Sequence, residues 1–186
     1  AREGPHALRL GLPRVVHGYV HALRREAGAP GHGPALQPLR RDPERTAMSA
    51  TFELDARLAA DTALVGRSEG GLVLLMDDAR WPWLLLVPEL PGASQLHELE
   101  ALDAARVLST SLAIARAMTG ALPARRINVG ALGNVVPQLH LHHVLRQEGD
   151  PAWPGPVWGH GTKQRYDAAE RDATVERWRR ELAELL

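Results

Sequence analysis

Cysteine is absent from this chain of 186 residues. That excludes disulfides, thiolate nucleophiles and cysteine-ligated zinc, and it leaves histidine as the natural carrier of chemistry near neutral pH. A surplus of charge of either sign is missing too, since 22 basic residues balance 22 acidic ones. No overall field draws the chain to nucleic acid or to an anionic membrane, so an anionic ligand has to be held locally. Long apolar runs are also lacking. The richest, Trp81 to Val87, has the length of a strand and falls well short of the roughly 18 uncharged residues that span a bilayer. A soluble protein in a reducing cytoplasm, with neither membrane nor nucleic-acid partner, is the expectation.

Composition divides the chain. Residues 1–47 are crowded with Pro, Gly and Arg and are read as a disordered leader or upstream extension, with Met48 as a candidate true beginning. Their acids, among them Glu3, Glu26, Asp42 and Glu44, argue against a transit peptide. Residues 48–186 are read as one domain with a C-terminal helical extension, a length that one hydrophobic core serves.

Within that domain Phe52, Leu54 and Leu58 predict a short helix, and strands follow over 62–67, 72–76 and 83–87. Ser68-Glu-Gly-Gly71 reads as a hairpin turn. Leu96, Leu99, Leu102, Leu108, Leu112 and Ala115 recur near helical spacing and predict one long helix from Ser94, as N-cap, to Met118, with Gly120 ending it. Two further strands are expected over 126–129 and 139–146, and an amphipathic helix over 167–186. Strands on either side of one long helix predict an α+β fold with an antiparallel sheet.

The chemistry concentrates in Val136-Pro-Gln-Leu-His-Leu-His-His-Val-Leu-Arg146. In a strand alternate residues share a side, which places Gln138, His140 and His142 together and turns Leu139, Leu141 and Leu145 to the core. Nitrogen-bearing side chains about 6–7 Å apart can meet successive oxygens of a polyphosphate. Neutral imidazole attacks phosphorus well, and a neighbouring imidazole can donate to phosphate or to a leaving group. Peptide N–H groups of Gly133-Asn134-Val135 would steady the negative charge without a lysine. A zinc site is the rival reading, with His140 and His142 as ligands and a third from His97, His160 or a carboxylate.

Gln138-Leu-His140-Leu-His142-His143-Val144 resembles the His-φ-His-φ-His-φ-φ signature of the histidine triad (HIT) superfamily, with Gln138 where the family has its first His. The resemblance extends over about residues 52–158, and Asp150 to Trp158 is similar to a bacterial branch described as diadenosine-polyphosphate hydrolase-like. It implies an α+β HIT-like fold with one long helix and a C-terminal helix, a homodimer, and a nucleotide substrate handled without metal or cofactor. It further implies His140 as nucleophile through a nucleotidyl-histidine, His142 as phosphate contact and leaving-group assistant, and Gln138 in a supporting role. Asn128 with Gly133, Asn134 and Val135 would hold phosphate, and Asp77 would take ribose hydroxyls. The reaction implied is hydrolysis or nucleotidyl transfer at an α-phosphate. The alternative is a nucleotide-binding or regulatory domain without turnover, because the first His is replaced and Pro88-Glu-Leu-Pro-Gly92 stands where many relatives carry a further histidine. His143 is a departure from the apolar pattern, expected on the core side or where the strand leaves the sheet.

Overall fold

The computed structural model describes residues 51–124 and 126–186, so the expectations for the leader lie outside the described residues. A short helix α1 (Ala56–Asp61) leads into β1 (Thr62–Ser68), β2 (Gly71–Met76) and β3 (Trp83–Val87); a long helix α2 (Ala101–Ala121) precedes β4 (Arg126–Gly130) and β5 (Leu141–Arg146), and α3 (Ala168–Glu181) follows. The five strands form one sheet in the order β1-β2-β3-β5-β4, with antiparallel neighbours throughout. This is the α+β architecture expected from the sequence.

Both faces of the sheet are covered, which explains why Leu72–Met76 and Trp83–Val87 read as continuous apolar runs instead of alternating ones. On one face Leu84, Leu86, Leu141 and Leu145 pack with Val107, Ile114 and Met118 of α2 and with Val175 and Trp178 of α3. On the other, Trp83, Leu85, Val87 and Val144 pack with Leu58, Val136, Val157 and the partly buried Phe52 and Leu54. The β1–β2 turn closes with Ser68 opposite Gly71. Glycine is required there: φ is +132°, and a Cβ would stand 2.1 Å from the carbonyl oxygen of Val87.

The long helix departs from the expected one in extent and in facing. It begins at Ala101, and a separate turn of 3₁₀ helix covers Leu96–Glu98. Glu98 is the reason: its carboxylate accepts from the N–H of Gln95 (3.0 Å) and from the Ser94 hydroxyl (2.9 Å), a closed capping box that terminates locally and leaves Leu99 and Glu100 extended. Ser94 is therefore not the cap of the long helix, and Gly120 lies inside it. The buried stripe is Val107, Thr110, Ser111, Ile114 and Met118, while Leu102, Leu108 and Leu112 face outward, 63%, 45% and 57% exposed. Of the leucines that signalled the helix, the three inside it are thus on its outer face, while Leu96 and Leu99 precede it and pack against the core. β5 also starts two residues later than expected, because the N–H of Leu139 is spent on the carbonyl of Ala93 (3.0 Å).

Candidate functional site

A cavity of about 660 Å³ opens on the sheet face away from α2, a size suited to a mononucleotide-sized ligand. Its floor is His140, His142 and Trp83, its walls are Leu58, Met76 and Trp158, and the loop Leu132–Val136 closes one side. Arg57 and Asp61 of α1 complete the lining.

Alternation along β5 decides which histidine does what. His142 points into the cavity with its ring 4.9 Å from that of His140, and both are nearly buried, 6% and 7% exposed. His143 points the other way, fully enclosed beneath α2, with Nε2 2.7 Å from the Ser111 hydroxyl. It belongs to the core and not to the cavity.

The two cavity histidines are held in opposite tautomers. The Nδ1 of His140 lies 2.7 Å from the main-chain carbonyl of Gln138, which can only accept. In the neutral ring that nitrogen therefore carries the proton and Nε2 keeps its lone pair. The Nδ1 of His142 instead accepts from the indole N–H of Trp83 at 3.0 Å, so in neutral His142 the proton sits on Nε2. One imidazole is left with a free Nε2 lone pair and its neighbour with a free Nε2–H donor. Burial, then the positive charge His140 and His143 would carry, push His142 down to about 3, so near pH 7 its ring is neutral and acts as a donor without being a cation.

Other residues singled out in the sequence are distributed differently. Gly133, Asn134 and Val135 line the cavity, and Gly133 takes a left-handed turn (φ +71°) that folds the loop over it. Gln138 does not line it. Its side-chain carbonyl accepts from the N–H of Asp55 (2.9 Å) and its amide donates to the carbonyl of Glu53 (2.8 Å), so it fastens the segment before α1, and the expected row of three nitrogen side chains becomes a pair. The physical reason is that His140 precedes the strand proper, and the bend at Gln138 releases that side chain from the alternation. Asn128 also stands outside the lining, accepting from Arg146 at 2.8 Å. Asp77 accepts from the Arg165 guanidinium (2.5 Å) and from the N–H of Tyr166 (3.1 Å), and the acid on the cavity wall is Asp61.

Among the lining residues, Arg57, Asp61 and Trp83 carried no functional signal in the sequence. The tautomer-setting contact of Trp83 joins residues 59 positions apart. Trp158 lies over its own chain's cavity, 5.7 Å from His142 and 6.4 Å from Trp83 between ring centres. Gly130, opposite His142 in the sheet, leaves the room, since a Cβ there would come within 3.3 Å of the Trp158 ring. Among the described residues no three histidine or acidic groups gather as metal ligands, so the zinc reading finds no third ligand there. Nor is any described helix long and apolar enough to cross a membrane.

Burial of two imidazoles has a measurable consequence. His143 is held at about 4, mainly by burial, and His142 at about 3, against an ordinary 6.5. The unfolded chain therefore binds protons that the folded one refuses. Stability is full above pH 6.5 and falls as the pH drops from there towards 4. Each unit is worth about 1.4 kcal/mol, so a loss of several kcal/mol is expected across that window. Thermal melts from pH 7.5 to 4 should show it, and His143→Met should flatten the slope above pH 4.5.

The chain matches the family model described as the HIT domain over residues 57–149. A histidine triad protein from Marinobacter aquaeolei VT8 is 43% identical in a match covering 73% of this chain and 99% of that one, with a TM-score of 0.71. One from Sinorhizobium meliloti 1021 is 42% identical over 73% and 98% of the two chains (TM-score 0.66). A third, from Bradyrhizobium japonicum, is 37% identical over 70% and 98% (TM-score 0.68). Among curated proteins there is no match.

Proposed function

The chain belongs to the histidine triad (HIT) family, and from that premise we propose that it is a nucleotide-phosphate hydrolase or nucleotidyltransferase working through a covalent nucleotidyl-histidine. The observation that carries this reading is the opposed tautomers of His140 and His142. The Nε2 lone pair of His140 attacks the α-phosphorus of a nucleoside phosphoramidate or dinucleoside polyphosphate. An N–P bond forms, and the bond to the leaving group breaks with its electron pair on the departing atom. The Nε2–H of His142 hydrogen-bonds to phosphate or to that atom. Once phosphorylated the His140 ring is cationic, and the Gln138 carbonyl against its Nδ1–H favours that charge. Water then adds to phosphorus, the P–N pair returns to Nε2, the water proton passes to solvent, and a nucleoside monophosphate leaves. An acceptor phosphate or hydroxyl in place of water makes the same cycle a transfer. N–H groups of the Gly133–Val135 loop serve the phosphate oxygens. Leu58, Met76 and Trp158 supply apolar surface for the nucleoside, and Asp61 is better placed than Asp77 to meet its hydroxyls.

The exposed stripe of Leu102, Leu108 and Leu112, with Val129 on the free edge strand β4, supports a homodimer formed by a second copy of this face. A nucleotide substrate and a chain without cysteine fit a cytoplasmic location.

Mass spectrometry of protein mixed briefly with adenosine phosphoramidate or with diadenosine tetraphosphate tests the reaction. An acid-labile adduct with the mass of a nucleotidyl group, together with released adenosine monophosphate, is expected. Nucleotide bound without adduct or release overturns catalysis and leaves a binding domain.

A further inference from the structure

The cavity has few charges for a ligand that carries several. His142 is neutral near pH 7, and Asp61 is already countered by Lys163 (2.5 Å) and Arg165 (3.1 Å). Arg57 is the sole Lys or Arg side chain among the described residues that line the cavity. Its Nη1 donates to the carbonyl of Val135 at 2.7 Å, at the end of the loop given to phosphate above. No described carboxylate pairs with it, and it is exposed, at the rim. A guanidinium has five donors, and the Val135 contact occupies one of its nitrogens.

Its position is built, not incidental. Gln138 grips the main chain at Glu53 and Asp55, and the Asp55 carboxylate caps α1 by accepting from the N–H of Arg57 (2.8 Å). The residue whose carbonyl sets the tautomer of His140 thus also holds the segment that presents Arg57. In-line attack from His140 sends the leaving group away from the floor and towards the rim.

Resting on the function proposed above, we propose that Arg57 is a specificity-determining residue that selects substrates whose leaving group is an anionic phosphate chain over those that release a neutral amine. With diadenosine tetraphosphate the bridging P–O bond breaks and the leaving adenosine triphosphate takes the electron pair, gaining negative charge where Arg57 stands. With adenosine phosphoramidate the P–N bond breaks, the nitrogen takes a proton from water and ammonia departs, giving the guanidinium nothing to bind.

The test compares kcat/KM on both substrates for wild type, Arg57→Ala and Arg57→Gln, with melting temperature as a control for folding. Loss of a charge-assisted contact predicts that the ratio of tetraphosphate to phosphoramidate activity falls about tenfold in both variants. Raised salt should lower the same ratio in wild type and have less effect in the variants. Equal losses on both substrates, or a wild-type ratio in Arg57→Gln, would mean that Arg57 merely clamps the Val135 loop and would overturn the proposal. Wild type inert on both substrates refutes the parent reaction, and this assignment with it, a result distinct from an active enzyme indifferent to Arg57.

Discussion

Replacing His140 with alanine should reduce turnover of both substrates by about 10⁴-fold or more and abolish the nucleotidyl adduct, while nucleotide affinity and melting temperature stay close to wild type. The size of the loss follows from the role: a nucleophile has no substitute, and loss of one member of a unit removes most of what the unit does. The mildness elsewhere follows from position. The His140 ring ends in the cavity, and its one described hydrogen bond is to the Gln138 carbonyl, which can turn to water once the ring is gone. Free imidazole should partly restore release of nucleoside monophosphate, because the space vacated beside that carbonyl would orient it as His140 is oriented. Near-wild-type turnover by the variant would sink the nucleophile assignment, and a large fall in melting temperature would show that the site is structural.

Asp150→Ala is expected to destabilise the fold by about 3–5 kcal/mol, the usual result of stripping one partner from a buried ion pair. Arg146 is 2% exposed in its side chain and makes a two-pronged contact with Asp150 at 2.7 and 2.9 Å, with its third nitrogen donating to Asn128. Burial alone would raise the Asp150 carboxyl, but the Arg146 guanidinium and the N–H groups of Ala152 and Gln147 hold it well below the usual carboxylate range. Removal of the carboxylate leaves a guanidinium at the end of β5 stripped of two of its three described side-chain hydrogen bonds. For a domain of this size the melting temperature should drop by about 10 °C. Activity should suffer below that temperature too, because Asp150 also ties down the start of the loop that carries Trp158 over the cavity. The double variant Arg146→Met with Asp150→Leu should recover much of the stability, since apolar groups of similar volume remove both the charge and its partner. A destabilisation below about 1 kcal/mol in the single variant would show the pair to be solvated.

How much of this was legible in the sequence varies with the range of the interaction responsible. β1 to β3 were readable within a residue or so, β2 and β3 because burial on both faces makes local runs of apolar side chains. The long helix was readable as a helix, yet its inner face was not. Its leucines mark the exposed side, and the core side includes Thr110 and Ser111, chosen to fit beneath Gly70 and beside His143. The His140–His142 pair was legible from spacing alone. Gln138, Asn128 and Asp77 were expected beside it, and each is bound elsewhere, to Asp55, Arg146 and Arg165 respectively. No local pattern announces such distant partners.

The sequence by itself determined the class of fold, the pairing of two imidazoles across one face of a strand, and a family signature, because these depend on periodicities of two and of about 3.6 along the chain. Tertiary structure alone decided which nitrogen of each imidazole carries the proton, since Trp83 and the Gln138 carbonyl set it, and which cation lines the cavity, since α1 brings Arg57 from 83 positions before His140. Hydrogen bonds and charges act through space over a few ångströms, and the chain has to fold before those distances exist.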